Sequence, residues 1–501
     1  MAPVTTPDNE IVLADAITLS QRIHARDWSC REVMQAYLRQ INHFNPMVNA
    51  IVSMVDPDRL ISQADERDSQ LVRGESHGWM HGFPQAIKDL TATAGITTTF
   101  GSAAFAQFVP AQDALMVRRM KAAGAILIGK TNTPEFGLGS QTYNSVFGIT
   151  RNAYDTQLTA GGSSGGAASA LALRMLPVAD GSDMMGSLRN PAAFNNVFGL
   201  RPSIGRVPSA PAPDVFTNQL SCAGPMARTV SDLAMLLSVQ AGFDEEVPTS
   251  LQQDPAIFTT SLQRVFNGTR IGWLGDFDGY LAMEPGLLAL CESALQSFTT
   301  IGCTVDAVQP DFAMARLWQA WLTLRHWAIA NGPLGDLYRS PTKRAFMKPE
   351  AIWEVEAGLT LSASQIHDAT VVRSNWYQAL RKLFATCDYL VLPSAQVFPF
   401  SAEQHWPAVI DGRPMDTYHR WMEIVIAGTM SGCPVASVPA GFNAAGFPMG
   451  LQIIGKAQAD MAVLQLAYAY EQATQWVQKR PPPLLNRSAD KSKNSQSISI
   501  I

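Results

Sequence analysis

The apolar residues of the first eighty positions are spaced as in amphipathic helices. Val33 and Tyr37 are four residues apart, which places them on one helical face. Ser29 and Glu32, directly upstream, have the spacing of a capping box and predict where this helix begins. We expect the helix to end at Pro46, because proline lacks the backbone N–H that continues a helix.

Between His81 and about Pro208 the pattern changes to short apolar runs separated by glycine and other small residues. Residues 125–128 form such a run and predict a buried strand, and the amphipathic stretch 114–123 just before them predicts a helix. Strands that alternate with helices are typical of α/β proteins. This region therefore predicts an α/β core.

The rest of the chain divides into a helical stretch, strand-rich stretches and a polar tail. Residues 255–385 carry Trp, Leu and Gln at helical spacing with few glycines, and predict a helical segment. Residues 388–393 and 433–455 return to apolar runs with turns, and predict strands. Near the end the chain becomes polar and rich in Ser and Lys, so we expect residues 487–501 to form a flexible tail.

Composition and charge exclude several classes of protein. The 501 residues are 47% apolar, which is ample for a folded core, and 37 basic against 42 acidic residues give a net charge of −5. That balance argues against a nucleic-acid partner, which requires a basic face. There is no signal-peptide pattern, and no apolar run approaches the ~18 residues of a membrane span. We therefore expect a cytoplasmic protein with no membrane partner, whose six cysteines are reduced and mostly buried.

One segment is unusually rich in glycine and serine, since residues 159–166 read TAGGSSGG. A phosphate-binding loop would close with lysine and then Ser or Thr, whereas two alanines follow here. The spacing Gly161-x-Ser163-x-Gly165 matches the G-x-S-x-G of a nucleophile elbow, which would make Ser163 the nucleophile. A plain glycine–serine turn is the other interpretation, and the pattern alone leaves both open.

Two further polar positions flank this segment at a distance. Lys88 closes an apolar stretch, where a single lysine is usually a surface residue with a buried stem. Ser187 follows a glycine in the run GSDMMGSLRNP and lies beside Asp183 and Arg189, a pattern that alone would indicate a polar turn. Each signal is weak by itself, whereas their joint order and spacing are informative.

Taken together, Lys88, the GGSSGG segment with Ser163, and the D-x-x-G-S-L-R segment with Ser187 resemble the amidase signature family, whose members cleave C–N bonds. Blocks that are similar to the family's motifs extend from about residue 28 to 455, outside 255–385. They include His81–Pro84, Gly129–Phe136, Phe198–Ser203, Gly224–Met226 and Gly432–Gln452. Within the family we expect a subgroup close to its bacterial and metagenomic urethanases.

The resemblance implies a Ser–cis-Ser–Lys triad. Ser187 would attack the carbonyl carbon, Ser163 would relay its proton, and Lys88 would be the base, which requires an amine kept neutral by burial. The backbone N–H groups that would bind the oxyanion are those of Met184, Met185, Gly186 and Ser187. The residues that would support these loops are Gly161, Gly162, Ser164, Asp183 and Arg189. A methionine at position 185 replaces a glycine that is common in the family, and we expect it to narrow or reshape the oxyanion hole.

The resemblance also implies the architecture. We expect one α/β domain over residues 1–486, with a mixed central β-sheet covered by α-helices on both faces. Residues 255–385 would form a variable helical segment over the active-site mouth. The family pattern requires no metal and no cofactor, and the partners we expect are a small-molecule amide or carbamate, with the chain a monomer or homodimer.

The residues near the nucleophile favour a bulky, neutral, aromatic substrate. Met184 and Met185 would offer flexible, polarizable surface that suits aromatic rings. Five tryptophans of the 255–385 segment could line the mouth: Trp318, Trp321, Trp327, Trp353 and Trp376. No pair of charged residues indicates a clamp for a small polar substrate. We therefore expect an aryl amide or an aryl carbamate (urethane) as substrate.

Other functions remain open from the sequence alone. An α/β-hydrolase with Ser163 as nucleophile would need a downstream histidine, and the candidates are His326, His367, His405 and His419. An amidase-type component of an amidotransferase complex would need companion chains. A catalytically inactive scaffold is suggested only by Met185, while all three triad positions are intact.

Overall fold

The computed structural model describes residues 7–217 and 219–489. Its α-helices are, in chain order, α1 (Pro7–Leu13), α2 (Ala16–Ala25), α3 (Cys30–Val48), α4 (Pro57–Val72), α5 (Leu115–Ala122), α6 (Gly165–Ala172), α7 (Arg189–Phe194), α8 (Val230–Gln240), α9 (Leu287–Thr300), α10 (Met314–Ala330), α11 (Pro333–Arg339), α12 (Pro341–Arg344), α13 (Pro349–Leu359), α14 (Ala363–Leu383), α15 (Ile426–Ser431), α16 (Asp460–Thr474) and α17 (Trp476–Lys479). Short 3-10 helices lie at Ala103–Phe105, Glu135–Gly137, Pro255–Thr259, Arg420–Val425 and Pro483–Ala489.

The strands are β1 (Ile51–Val52), β2 (Pro84–Lys88), β3 (Ile126–Thr131), β4 (Tyr143–Asn144), β5 (Gly148–Ile149), β6 (Ala179–Asp183), β7 (Phe198–Arg201), β8 (Cys222–Ala227), β9 (Arg270–Trp273), β10 (Thr304–Ala307), β11 (Tyr389–Pro393), β12 (Val409–Ile410), β13 (Arg413–Pro414), β14 (Val435–Phe442) and β15 (Pro448–Ile454). Eight of them form one sheet in the order β10–β9–β11–β15–β14–β7–β8–β6. A smaller sheet has the order β1–β3–β2, and β4–β5 and β12–β13 are short two-stranded pairs.

The large sheet is mixed and covered on both faces. β9 pairs in parallel with β10 and with β11, whereas the other neighbouring strands pair antiparallel. Every residue of β11 and of β15 is buried, and since alternate side chains of a strand point to opposite faces, both faces are covered there. Helices α7, α9 and α16 pack against β14 and β15. The predicted α/β class with a mixed central sheet is confirmed.

One large hydrophobic core, beside two smaller clusters, joins the described ends of the chain. One contiguous cluster of buried apolar side chains includes Ile11 in α1 and Leu484 near the C-terminus. A continuous cluster of this kind marks one domain rather than several. Of the predicted tail, residues 490–501 lie outside the described residues, and the last 3-10 helix runs from Pro483 to Ala489.

Helix α3 confirms one prediction and corrects another. The Ser29 side chain accepts from Glu32 N–H, and the Glu32 carboxylate accepts from Ser29 N–H, so the capping box is present. The helix does not end at Pro46 but runs to Val48. Proline removes only one helical hydrogen bond, and the stop comes from Asn49, whose φ of 52° turns the backbone into the left-handed region.

The 255–385 segment is not wholly helical, which corrects the prediction. β9 and β10 lie inside it and form one end of the large sheet. Both strands are four residues long. Strands this short give a weak periodic signal, so the long helices α9, α10 and α14 dominated the pattern. The two strands in the first part of the segment therefore belong to the large sheet. The helices after β10 are the part that can reach the active site.

Two expectations about burial and membranes can be compared with the described residues. All six cysteines are free and buried, as expected. Over residues 7–217 and 219–489, no helix has the length and apolar character required to cross a bilayer.

The two sheets meet where the predicted catalytic residues lie. β2 of the small sheet contacts β6, the edge strand of the large sheet. Helix α6 starts inside the glycine–serine segment, at Gly165, and packs against β6 and α7. The C-terminal ends of β2 and β6 and the N-terminal end of α6 therefore converge on one place.

Candidate active site

Lys88 lies at the centre of this convergence. It is the last residue of β2 and its side chain is fully buried. Its Nζ lies 2.8 Å from Ser163 Oγ, 2.8 Å from Ser164 Oγ and 3.0 Å from Ser182 Oγ. The backbone N–H of Lys88 donates to the Asp180 carboxylate of β6, 3.2 Å from Oδ2, which fixes the end of β2 against β6. The predicted lysine and the first predicted serine are thus in contact.

The Lys88 amine has the electrostatic setting of a base. Burial lowers the pKa of Lys88 to about 7, and Asp180 and Asp183 offset part of that effect. The neighbouring Asp89 does not interfere, because its carboxylate accepts from the backbone N–H and the hydroxyl of Thr99 at 3.0 and 2.5 Å. At neutral pH a large fraction of Lys88 is therefore neutral and able to accept a proton.

The glycine–serine segment is fixed by its carbonyl groups. The peptide bond between Gly162 and Ser163 is cis. Ser140 Oγ donates to Gly162 O at 2.5 Å, and Thr142 Oγ1 donates to Gly161 O at 2.8 Å. Gly161 has a φ of 73°, a left-handed conformation that favours glycine over residues with a side chain. These contacts hold Ser163 in front of the lysine.

The loop of residues 184–188, which carries Ser187, is anchored by Asp183. The buried carboxylate accepts from the N–H groups of Gly186 and Leu188 at 2.9 and 3.1 Å, and forms an ion pair with Arg189 at 2.9 Å and with Arg201 at 3.2 Å. Burial alone would raise the pKa of Asp183, but the two guanidinium groups outweigh it and hold that pKa below its usual value. Asp183 therefore connects this loop to Arg189 and Arg201 through buried hydrogen bonds and ion pairs.

The predicted set of oxyanion donors needs one correction. The N–H of Gly186 is directed to Asp183 Oδ1, so it does not point into the cavity. The donors that remain candidates are the N–H groups of Met184, Met185 and Ser187. Gly186 has a φ of 80°, and a β-carbon there would collide with the Asn190 side chain, so this position requires glycine. Met185 is 2% exposed, and it belongs to the buried apolar cluster while also lining the cavity beside Ser187.

The two predicted serines face one cavity. Ser163 and Ser187 both line it, and Ser164 N–H donates to Ser187 O at 3.2 Å. The described structure contains no hydrogen bond between Ser163 Oγ and Ser187 Oγ. Catalytic hydrogen bonds are often longer without substrate and tighten in the reacting complex. Lys88 and Ser163 are therefore in hydrogen-bond contact, and Ser187 lines the same cavity as Ser163.

A histidine partner for Ser163, which the α/β-hydrolase alternative requires, does not occur in the described structure. His326 Nδ1 pairs with the Glu354 carboxylate at 2.7 Å. His419 is buried, and its ring stacks on Tyr418 with a centroid distance of 4.6 Å. The group that contacts Ser163 Oγ is the Lys88 amine.

The cavity measures about 130 Å³, and apolar side chains form about half of its lining residues beside four serines and Arg325. Its apolar side chains are those of Leu90, Phe136, Leu138, Met184, Met185, Ile329, Leu334 and Met422. In the described part of the chain, the tryptophans expected at the mouth do not line it, and Trp318, Trp321 and Trp376 are buried in the core instead. The methionines flanking the nucleophile do line it, as expected.

Several cavity residues were not identified from the sequence. Ser182 contacts Lys88 and immediately precedes Asp183 on β6, so its place in the signature run was an available signal. Arg325 in α10 and Met422 in the 3-10 helix 420–425 reach the cavity from distant parts of the chain. No short motif contains them, so only the fold brings them to the site.

Comparisons with known proteins agree with this geometry. The family model described as Amidase matches residues 32–464. A protein from Thermosynechococcus vestitus, named as a subunit of glutamyl-tRNA(Gln) amidotransferase, is 34% identical over 92% of this chain and 98% of its own length.

Solved structures give the same assignment. A bacterial aryl acylamidase of the amidase signature enzymes superposes with a TM-score of 0.87 and 30% identity, covering 93% of this chain and 97% of that one. The peptide amidase from Stenotrophomonas maltophilia superposes with a TM-score of 0.77 and 28% identity, covering 94% and 98%. With its sheet, its lysine and both signature serines in place, the chain belongs to the amidase signature family.

Proposed function

We propose that this enzyme hydrolyses neutral aryl amides or aryl carbamates through an acyl-enzyme on Ser187. The observation that carries the proposal is the buried Lys88 Nζ, which lies 2.8 Å from the Oγ of Ser163, a residue that lines the same cavity as Ser187. A serine hydroxyl is a weak nucleophile unless a base takes its proton during attack. Neutral Lys88 supplies that base, and Ser163 can connect the two because a hydroxyl both donates and accepts.

The first half of the reaction forms the acyl-enzyme. Ser187 Oγ attacks the carbonyl carbon while its proton passes to Ser163 Oγ, and the Ser163 proton passes to Lys88 Nζ. The carbonyl oxygen becomes an oxyanion, which the candidate N–H groups of Met184, Met185 and Ser187 stabilise. The relay then reverses, the leaving nitrogen is protonated, the C–N bond breaks, and the amine departs.

The second half releases the acyl group. Water attacks the ester carbonyl of acylated Ser187, and its proton follows the same path through Ser163 to Lys88. The tetrahedral intermediate collapses with return of the proton to Ser187 Oγ, which frees the acid and restores the enzyme. An N-aryl carbamate follows the same path: C–N cleavage releases the arylamine, and hydrolysis yields an alkyl carbonic acid that loses carbon dioxide to give the alcohol.

The size and polarity of the cavity support a compact aromatic substrate. Its volume of about 130 Å³ is close to that of cavities, roughly 150 Å³, that hold one benzene ring. The apolar side chains that line it, among them the flexible Met184 and Met185, suit a ring or a short acyl group. In the described part of the chain, Arg325 is the one ionised side chain that lines the cavity, and Glu354 already balances its charge. A neutral substrate is therefore favoured over an anionic one.

A substrate panel tests the proposal. We expect kcat/KM for 4-nitroacetanilide and for ethyl N-(4-nitrophenyl)carbamate to exceed that for acetamide by about tenfold or more, because burying an aromatic ring contributes roughly 1.5–3 kcal/mol. Malonamate and its neutral methyl ester form a matched pair that isolates charge, and the ester should be the better substrate of the two. Preference for acetamide or malonamate would refute the aromatic assignment and leave the triad intact.

The amidotransferase relative supports a second candidate function. That relative is named as part of a glutamyl-tRNA(Gln) amidotransferase, and 98% of its length is covered here. If this chain worked in the same way, the purified protein alone would be inactive on free amides and would gain activity only with companion chains. Turnover of anilides by the isolated chain at rates unchanged by added cell extract would exclude this candidate.

A further inference from the structure

Arg325 is a buried arginine that faces the catalytic cavity. It lies in the middle of α10, and its side chain is 4% exposed. Met184, from the loop that carries Ser187, lies beside it at the cavity wall. The arginine therefore lies within reach of a substrate part that rests against Met184.

Two sides of the Arg325 guanidinium are engaged by the protein. Nε donates to Glu354 Oε1 at 2.6 Å, and Nη2 donates to Tyr418 Oη at 2.7 Å. Glu354 also accepts from the Tyr418 hydroxyl at 2.6 Å, and its second oxygen lies 2.7 Å from His326 Nδ1. These contacts fix the plane of the guanidinium and balance its charge.

The third guanidinium nitrogen, Nη1, has a weaker hydrogen-bond partner than the other two. Nη1 of Arg325 carries two N–H groups, and the partner the structure gives it is Met184 Sδ at 3.5 Å. A thioether is a weak acceptor, so this partly buried donor is poorly satisfied. Since Met184 and Arg325 both line the cavity, an oxygen atom of a bound substrate can complete the hydrogen bonding of Nη1.

The charges around Arg325 determine which kind of substrate oxygen Nη1 binds favourably. The Arg325–Glu354 pair is neutral as a unit, and Arg325 reinforces the ionised state of Glu354. A substrate carboxylate at Nη1 would add an unbalanced negative charge to a buried site, which is costly. An ether, carbonyl or nitro oxygen would form the hydrogen bond without that penalty.

We propose that Arg325 Nη1 is a specificity-determining donor that binds a neutral oxygen acceptor on the substrate, remote from the scissile carbonyl. The inference rests on the proposed hydrolase function and narrows its substrate class to aryl amides or carbamates that carry a second, uncharged oxygen. A purely structural Arg325 would leave the choice among such substrates unchanged.

Pairs of substrates with nearly equal shape test this role. In the first pair, 4-methoxyacetanilide has an ether oxygen on the ring side where 4-ethylacetanilide has a CH2 group. In the second pair, the N-phenyl amide of methoxyacetic acid has an ether oxygen on the acyl side where butyranilide has a CH2 group. We expect wild-type KM to be at least threefold lower for the oxygen-bearing member of one pair. Arg325→Lys keeps the positive charge beside Glu354 but loses the planar fork, so it should bring the kcat/KM ratio of that pair close to one.

The matched control is Arg420→Lys, since Arg420 pairs with Glu423 at 2.7 Å near the same helix and does not line the cavity. This variant should leave the ratios of both pairs within twofold of wild type. Loss of activity in Arg325→Lys by one common factor for all four anilides, with unchanged ratios, would overturn the proposal. Wild-type KM values that are equal within each pair would overturn it too, whether or not the variant folds.

Two outcomes separate this proposal from the proposed function. If no anilide is hydrolysed at all, the proposed function fails. If anilides are hydrolysed with ratios that do not respond to Arg325→Lys, only the role of Arg325 fails. Faster turnover of the carboxylate 4-acetamidobenzoate than of 4-methoxyacetanilide would overturn the preference for a neutral acceptor.

Discussion

Replacing Ser187 by alanine should abolish both turnover and covalent labelling, whereas Ser163→Ala should retain slow labelling at Ser187. The first change removes the atom that forms the acyl-enzyme, and the second removes only the proton relay. Loss of a triad nucleophile in serine hydrolases lowers kcat by about 10⁴–10⁶-fold. Mass spectrometry after treatment with a fluorophosphonate locates the adduct, which we expect on the peptide that contains Ser187.

Ser164 provides a matched control for the relay. Its Oγ lies 2.8 Å from Lys88 Nζ, as does Ser163 Oγ, but of these two serines only Ser163 lines the cavity. Ser164→Ala should therefore reduce kcat far less than Ser163→Ala. An adduct on Ser163, or equal losses in the two variants, would contradict the assigned roles.

The rate should depend on the protonation of Lys88. Because burial lowers its pKa to about 7, kcat/KM for a neutral anilide should rise about tenfold per pH unit below that value and level off above about pH 8. The rate increases with pH because the neutral amine is the active form and its fraction increases with pH. At about pH 5 the rate should be roughly a hundredfold below the plateau.

Lys88→Met is the variant to compare in this experiment. It removes the titrating amine while keeping an apolar side chain of similar length, so the residual rate should lose the rise centred near pH 7. Circular dichroism across the same pH range establishes whether the fold is retained. A wild-type profile that is flat between about pH 5 and 9 would contradict a lysine base.

The residues of the proposed triad could be selected from the sequence because three segments follow one another in a distinctive order and spacing. Ser163 and Ser187 lie in runs that contain glycine and serine, Lys88 closes an apolar stretch, and the order and spacing of the three segments together carry the signal. The direction of the Gly186 N–H was not predictable, since it depends on where the Asp183 carboxylate lies after folding. The family pattern identifies which residues form a loop, and hydrogen bonds to buried charges decide which of its donors remain available.

The residues of the cavity wall, in contrast, could not be predicted from the sequence. Arg325 precedes its partner Glu354 by twenty-nine positions and Tyr418 by ninety-three, so no local pattern could connect them. The same limitation applies to the tryptophans of α10. Helical spacing identifies which residues share a face, but it does not show whether that face contacts the core or the cavity. Trp318 and Trp321 face the core, while Arg325 and Ile329 of the same helix reach the cavity.

The anchoring of the 184–188 loop by Asp183 has a consequence for engineering this enzyme. The carboxylate connects the loop to Arg201 in the central sheet, so the reacting atoms depend on the part of the molecule that is hardest to deform. The wall residues Ile329, Leu334 and Met422 belong to other segments and take no part in that anchoring. We expect substitutions at those three positions to change substrate preference without changing the reaction, whereas we expect many substitutions in the 184–188 loop to impair folding.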